Sequence, residues 1–248
     1  LIGANLDAIW DVTSLTYTSS GRVLSFIGFE QLTGGTAADT FHFDNAAAFI
    51  GSIDGGSGLD TLDYSAASIQ VQTVLTRIGS TDGFAGTKTG LIGAFDNIDN
   101  LVGGSNSNDT LTGTDLAGTF ELDGTDRYFI GINEIGFSAF ENLNGGNQVD
   151  TFIFSGNRTY IVNGGAGDDI FRFTDGSSLT GTLDGSTGSD LLDLTLFTTS
   201  RIVNLLSTST DGFAGNVTDT VPTGFSNIDW VYGSTTATND QLFGLNVD

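Results

Sequence analysis

The sequence predicts an all-β chain folded as a right-handed parallel β-helix, a β-solenoid of about eleven coils of 19–24 residues each. A glycine-rich bend, an aspartate and an alternating apolar run recur in GGNQVDTFIF from Gly145, GGAGDDIFRF from Gly164 and GSTGSDLLDL from Gly185. These copies start 19 and 21 residues apart, the length of one winding of stacked backbone. Phe-x-Phe and Leu-x-Leu alternation, abundant Thr and frequent Gly disfavour helices and favour short strands.

Taken in order, LIGANLDAIWDV alternates towards Trp10 and Val12 and ends in polar turn residues near Gly21. FEQLTGGTAADTFHF follows, with Phe41 and Phe43 on one strand face and His42 on the other. Glycine-led turns then fall near 34, 55, 79, 103, 124, 145, 164, 185, 209 and 233, each read as one coil. Phe41, Phe43, Phe152, Phe154, Phe171 and Phe173 hold equivalent strand positions and are expected to stack inside. Asn97, Asn142 and Asn227 recur after Phe and are expected to form an amide ladder at a corner.

A longer period overlies the coils. FIGFEQLTGG at Phe26 matches FSAFENLNGG at Phe137, an offset of 111. STDGFAG at Ser80 recurs at Ser209, an offset of 129, and FDNID at Phe95 matches FSNID at Phe225, an offset of 130. The increase is one coil long, and TYIVNGGAGDDIFRF reads as the insertion. The expected organisation is therefore repeat unit A at 1–110, unit B with one extra coil at 111–241, and the start of a next unit at 242–248. LIGANLD at Leu1, LTGTDLA at Leu111 and LFGLNVD at Leu242 are one motif three times, which points to tandem neighbours in a longer chain or to end-to-end copies. A single coil buries too little apolar surface to stand alone, so each depends on those beside it.

Thirty Asp and Glu against seven Lys and Arg give a formal charge of −23, which opposes nucleic acid and anionic membranes and favours cations. No apolar run approaches the 18 residues of a membrane-spanning helix, so membrane insertion is not expected. The absence of Cys excludes disulfides and thiolate metal sites.

GGSGLDTLD at 55–63 and GGAGDDIFR at 164–172 fit the nonapeptide G-G-x-G-x-D-x-U-x, in which U is a large apolar residue. Glycines let backbone carbonyls turn inward and the aspartate adds charge, which makes an oxygen cage suited to Ca²⁺. This pattern resembles the calcium-binding repeats of RTX proteins. The resemblance implies metal positions at Gly56, Gly58 and Asp60, and at Gly165, Gly167 and Asp169. GGTAADTF, GGNQVDTF and GSTGSDLL each lack one of the glycines, and they extend the candidate set to Asp39, Asp150, Gly188 and Asp190. Asp39 with Asp60, and Asp150 with Asp169 and Asp190, are expected to stack at about 4.8 Å, where a cation would relieve their repulsion.

The whole pattern also looks like the repeats of very large bacterial extracellular and surface proteins. That likeness implies a structural fibre or surface-layer element at the cell surface, with itself as partner. The alternative is an adhesin module that binds a glycan or another surface ligand. Enzymatic activity is not expected. His42 is the only histidine, Arg158 with Tyr160 and Arg127 with Tyr128 are not reproduced in the matching repeat, and the carboxylates repeat where a catalytic site would be unique.

Overall fold

Alternating burial along short segments, such as Thr151–Phe154 and Ile170–Phe173, produces strands throughout, and no helix forms among the described residues. The computed structural model describes residues 1–45, 49–88 and 93–245, so the last three residues of the terminal repeat motif lie outside it. The protein is all-β, with mostly parallel pairing and no sheet closed into a barrel among the described residues. It comprises two compact units, Leu1–Thr112 with Arg127–Glu141, and Gly113–Asp126 with Asn142–Asp248.

In the first unit, Ala8–Asp11, Asp39–His42, Thr61–Asp63, Asn100–Val102 and Asn133–Ser138 lie side by side in parallel. Thr16–Ser19 and Arg22–Ser25 extend this sheet antiparallel beyond Ala8–Asp11, and Arg127–Ile130 pairs antiparallel with Asn133–Ser138. A second sheet aligns Gln31–Gly35, Ser52–Gly56 and Ala94–Ile98 in parallel. Phe84–Lys88 and Gln72–Ile78 continue it antiparallel, and Thr110–Thr112 then pairs in parallel again.

In the second unit, one sheet is wholly parallel: Thr119–Leu122, Thr151–Phe154, Ile170–Phe173, Leu191–Asp193 and Trp230–Tyr232. The other aligns Asn142–Gly146, Ile161–Gly165, Leu183–Asp184 and Val221–Ile228 in parallel. Phe213–Val217 and Ile202–Thr208 extend it antiparallel, and Gln241–Phe243 closes it in parallel.

These meanders correct the count of eleven coils. The glycine turns near 79 and 209 are hairpin tips between antiparallel strands, closed by bonds from Gly79 N to Gly83 O at 2.9 Å and from Ser209 N to Gly212 O at 3.2 Å. A glycine turn of about coil spacing therefore marks a reversal there rather than a winding.

The aromatic columns are where periodicity places them. Phe152 lies between Phe120 and Phe171 with ring centroids 4.7 and 5.4 Å away, and Phe154 stacks on Phe173 at 4.4 Å. In the first unit Phe41 stacks on Trp10 at 5.6 Å and Phe43 on Tyr64 at 4.5 Å. Parallel strands about 4.8 Å apart in register bring like side chains to this separation, near the optimum for offset rings. At Asn97 and Asn227 the expected asparagine ladder gives way to other partners. Asn97 and Asn227 each adopt a positive φ, and their side-chain amides donate to Asp54 and Asp184 at 2.7 and 2.6 Å. Their carbonyl oxygens accept from Thr81 and Asp211, which ties each hairpin tip to its sheet.

Candidate functional site

The repeated Gly-Gly and Asp positions converge at the corners where the chain leaves one sheet and enters the other. Gly34 and Gly55 lie in strands of one sheet of the first unit and Gly145 and Gly164 in strands of one sheet of the second, and Asp39 and Asp60, and Asp150 and Asp169, begin or directly precede strands of the other sheet of their own unit. All four aspartates, and Asp190, are buried. A buried carboxylate must find donors, and here they are backbone amides one strand away.

In the first unit Asp39 N donates to Asp60 Oδ1 at 2.8 Å, and Asp60 N donates to Asp99 Oδ2 at 2.8 Å. In the second, Gly118 N donates to Asp150 Oδ1 at 2.9 Å, Asp150 N to Asp169 Oδ1 at 2.8 Å and Asp169 N to Asp190 Oδ1 at 2.8 Å. Asp190 N completes the series on Asp229 Oδ2 at 3.0 Å. Asp60, Asp99, Asp169, Asp190 and Asp229 thus each satisfy the amide of the aspartate before them, in a side-chain-to-backbone ladder beside the sheet ladder. The expected stacking of Asp39 with Asp60, and of Asp150, Asp169 and Asp190, takes this form.

The glycines are required by this packing. A Cβ on Gly34 would lie 2.7 Å from Asp39 Oδ2, and one on Gly55 would lie 2.6 Å from Asp60 Oδ2. Gly56 and Gly165 have φ of +99° and +101°, a conformation that L side chains avoid. Gly58, Gly167 and Gly188 pack against the backbone of the neighbouring corner, at Ala37, Gln148 and Gly167 respectively.

The second carboxylate oxygen is treated unevenly. Asp150 Oδ2 accepts from Gly146 N at 2.7 Å, whereas Oδ2 of Asp39, Asp60, Asp169 and Asp190 is buried without a hydrogen-bond partner. The carbonyl of a glycine on the neighbouring strand approaches the same spot, Gly55 O beside Gly34 and Gly185 O beside Gly164. Burial therefore raises the carboxyls of Asp39 and Asp169 to about 6, and those of Asp60, Asp150 and Asp190 to about 7, against the partial opposition of their hydrogen bonds. The charges of Asp82 and Asp99 push Asp60 further, and Asp229 and Asp168 act likewise on Asp190. Asp82 and Asp211, at the tips of the equivalent hairpins, each accept the amide of a corner glycine at 3.2 Å, from Gly58 and Gly188.

The ladder includes residues outside the sequence-derived set. Asp99 and Asp229 terminate it in the two units, and their signal was the FDNID and FSNID repeat. A related corner occurs where the chain passes back to the other sheet. Asp109 accepts from Val71 N at 2.7 Å and Gly104 N at 2.7 Å, and Asp240 accepts from Arg201 N at 2.7 Å and Ser234 N at 2.6 Å. His42 is half-buried with Nδ1 3.2 Å from Asp63 Oδ2, and Arg158 Nε donates to the Leu122 carbonyl at 3.0 Å.

Among the described residues, no three His, Cys, Asp or Glu side chains gather into a group able to hold a metal. An ion at a corner would draw on one or two carboxylate oxygens and the adjacent glycine carbonyls, hard ligands of the kind Ca²⁺ takes. Comparison with known protein families, curated proteins and solved structures finds no match.

Proposed function

We propose that the chain is a structural element of an extracellular fibre or cell-surface layer, a right-handed parallel β-helix interrupted by antiparallel meanders and stacked on further copies of itself. The observation that carries this reading is the ladder of buried aspartates, in which one carboxylate oxygen accepts the backbone amide of a neighbouring strand at corner after corner. A chain whose buried corner amides are satisfied by the next repeat is suited to extension, and catalysis is no part of the proposal. Calcium is its proposed stabiliser, through the unpartnered Oδ2 atoms of Asp39, Asp60, Asp169 and Asp190.

Sedimentation and electron microscopy of the purified chain over a wide concentration range, with and without Ca²⁺, test the reading. Concentration-dependent linear assemblies are expected. A chain that stays monomeric and gives one clear hit on a glycan array would replace the fibre with the adhesin alternative.

A further inference from the structure

The long sequence repeat supplies a template for how one copy meets the next. In the first unit Asn100–Val102 carries a parallel neighbour in the register Asn100 to Gly136, Leu101 to Phe137 and Val102 to Ser138. Gly103 N donates to Ser138 O at 2.8 Å, and Gly136 N to Asp99 O at 2.8 Å. A second contact anchors the corner, where Asp109 N donates to Glu141 Oε2 at 3.1 Å and Glu141 N to Asp109 O at 3.1 Å.

Both halves of this arrangement recur elsewhere in the chain without their partners. The repeat that relates FDNID to FSNID turns Asn100–Val102 into Trp230–Tyr232, an edge strand of the second unit. Asp109 becomes Asp240, which holds its corner by the same two amide bonds, Arg201 in place of Val71 and Ser234 in place of Gly104. The repeat that relates FIGFEQL to FSAFENL turns Phe137, Phe140 and Glu141 into Phe26, Phe29 and Glu30. These follow Arg22–Ser25, an edge strand of the first unit.

Phe26 is buried as its counterpart Phe137 is, but exposure separates the paired from the unpaired copy at two other positions. Phe140 is 3% exposed and its counterpart Phe29 43%, while Leu111 is 0% exposed and its counterpart Leu242 63%. At these two positions the same residue type is thus core in one place and bare in the other. Trp230, Tyr232 and Ile27 are bare as well, and an uncovered strand edge with apolar side chains seeks another strand.

We infer that a second copy of this chain docks its residues 25–30 on Trp230–Tyr232, in the register Ser25 to Trp230, Phe26 to Val231 and Ile27 to Tyr232. The second copy's Glu30 then caps the Asp240 amide, as Glu141 caps that of Asp109. This deepens the self-stacking proposed above and rests on it. In the arriving copy Gly3 N donates to Thr33 O at 2.8 Å and Thr33 N to Leu1 O at 2.9 Å. Leu1 and Gly3 are the counterparts of Leu242 and Gly244 of the receiving copy, so docking exchanges one short segment for its equivalent. Each copy carries a formal −23, so association strengthens with salt.

The chain has no cysteine, which makes cross-linking a clean test. Single variants Ile27→Cys and Tyr232→Cys, both at exposed positions, are mixed under mild oxidation in 1 M salt, where the screening length is about 3 Å. Directly opposed strand residues meet the disulfide requirement on Cα separation. A linked dimer is expected from this mixture at ten or more times the yield from Ile132→Cys with Tyr232→Cys, the control position being exposed on a hairpin tip. Glu30→Ala is expected to weaken association about tenfold in sedimentation, and Glu30→Gln, which keeps an acceptor, to restore most of it. If the wild type assembles but the 27 and 232 positions cross-link no better than the control, the register is wrong while self-stacking stands. If it neither assembles at millimolar concentration nor cross-links, both fall.

Discussion

Replacing Asp169 by Asn separates the ladder's hydrogen bond from its charge. The carboxyl is buried, its Oδ1 accepts the Asp150 amide at 2.8 Å, and its Oδ2 has no partner. Burial raises it from 3.8 to about 6, so at pH 8 the ionised group in the folded chain is disfavoured by about 2 pK units relative to the unfolded chain, roughly 3 kcal/mol. Asparagine keeps the Oδ1 acceptor and carries no charge, and its amide can donate towards the Gly185 carbonyl that approaches the same glycine. Asp169→Asn is therefore expected to stabilise the fold by about 1–3 kcal/mol at pH 8 and by almost nothing at pH 4, where the native carboxyl is already protonated. Asp169→Ala removes the same charge but leaves the Asp150 amide buried and unpaired, so it should fall about 1–3 kcal/mol below Asp169→Asn at both pH values, and below the wild type only at pH 4. Urea denaturation followed by circular dichroism, in chelator-treated buffer, reads all three chains. An Asp169→Asn variant less stable than the wild type at pH 8 would refute the reasoning, because it would mean that the ionised carboxylate is favoured in the folded chain.

The wild type should be most stable near pH 4–5: the raised carboxyls of Asp39, Asp60, Asp150, Asp169 and Asp190 contribute stability below 3.8 that is lost as pH climbs through 6–7, while the lowered Asp63, Asp96 and Asp193 contribute stability lost only as pH falls below 3.8. A melting temperature that rises steadily from pH 5 to pH 8 would contradict this. Calcium at 100 times its Kd should add about 2.7 kcal/mol at pH 8, and a melting temperature indifferent to both Ca²⁺ and chelator removes the ion from the account. Gly55→Ala, which drives a methyl group to 2.6 Å from Asp60 Oδ2, should cost about 3 kcal/mol by chemical denaturation. Phe152→Ala opens a gap between Phe120 and Phe171 and should cost about 3–5 kcal/mol, and a loss below 1 kcal/mol would mean that the column does not bear on stability.

Much of this arrangement is legible in the sequence because parallel strands in register put like side chains beside like. The period that aligned Phe152 with Phe171, and Asp150 with Asp169, follows from that geometry, and the rings and carboxyls are found one strand apart. Strand direction is another matter. Alternation is the same for a strand running either way, and a glycine among polar residues closes a hairpin as readily as it turns a corner. STDGFAG therefore reads as a coil boundary, although Phe84–Lys88 and Phe213–Val217 return antiparallel. The asparagine of FDNID reads as a ladder residue because its repetition is visible in the sequence and its positive φ is not. The partner of each aspartate was hidden too, since a turn aspartate in sequence suggests solvent or a metal, and only the fold brings the preceding strand's amide to its oxygen.

The most direct test of the ladder is site-resolved amide hydrogen exchange on the native chain at pH 5. The account predicts that the amides of Asp39, Asp60, Asp150, Asp169 and Asp190 exchange only through global unfolding, as slowly as those of the central strands. Exchange of these five at the rate of the hairpin-tip amides of Gly131 and Ile132 would show that the carboxylates do not hold them, and the account would fail.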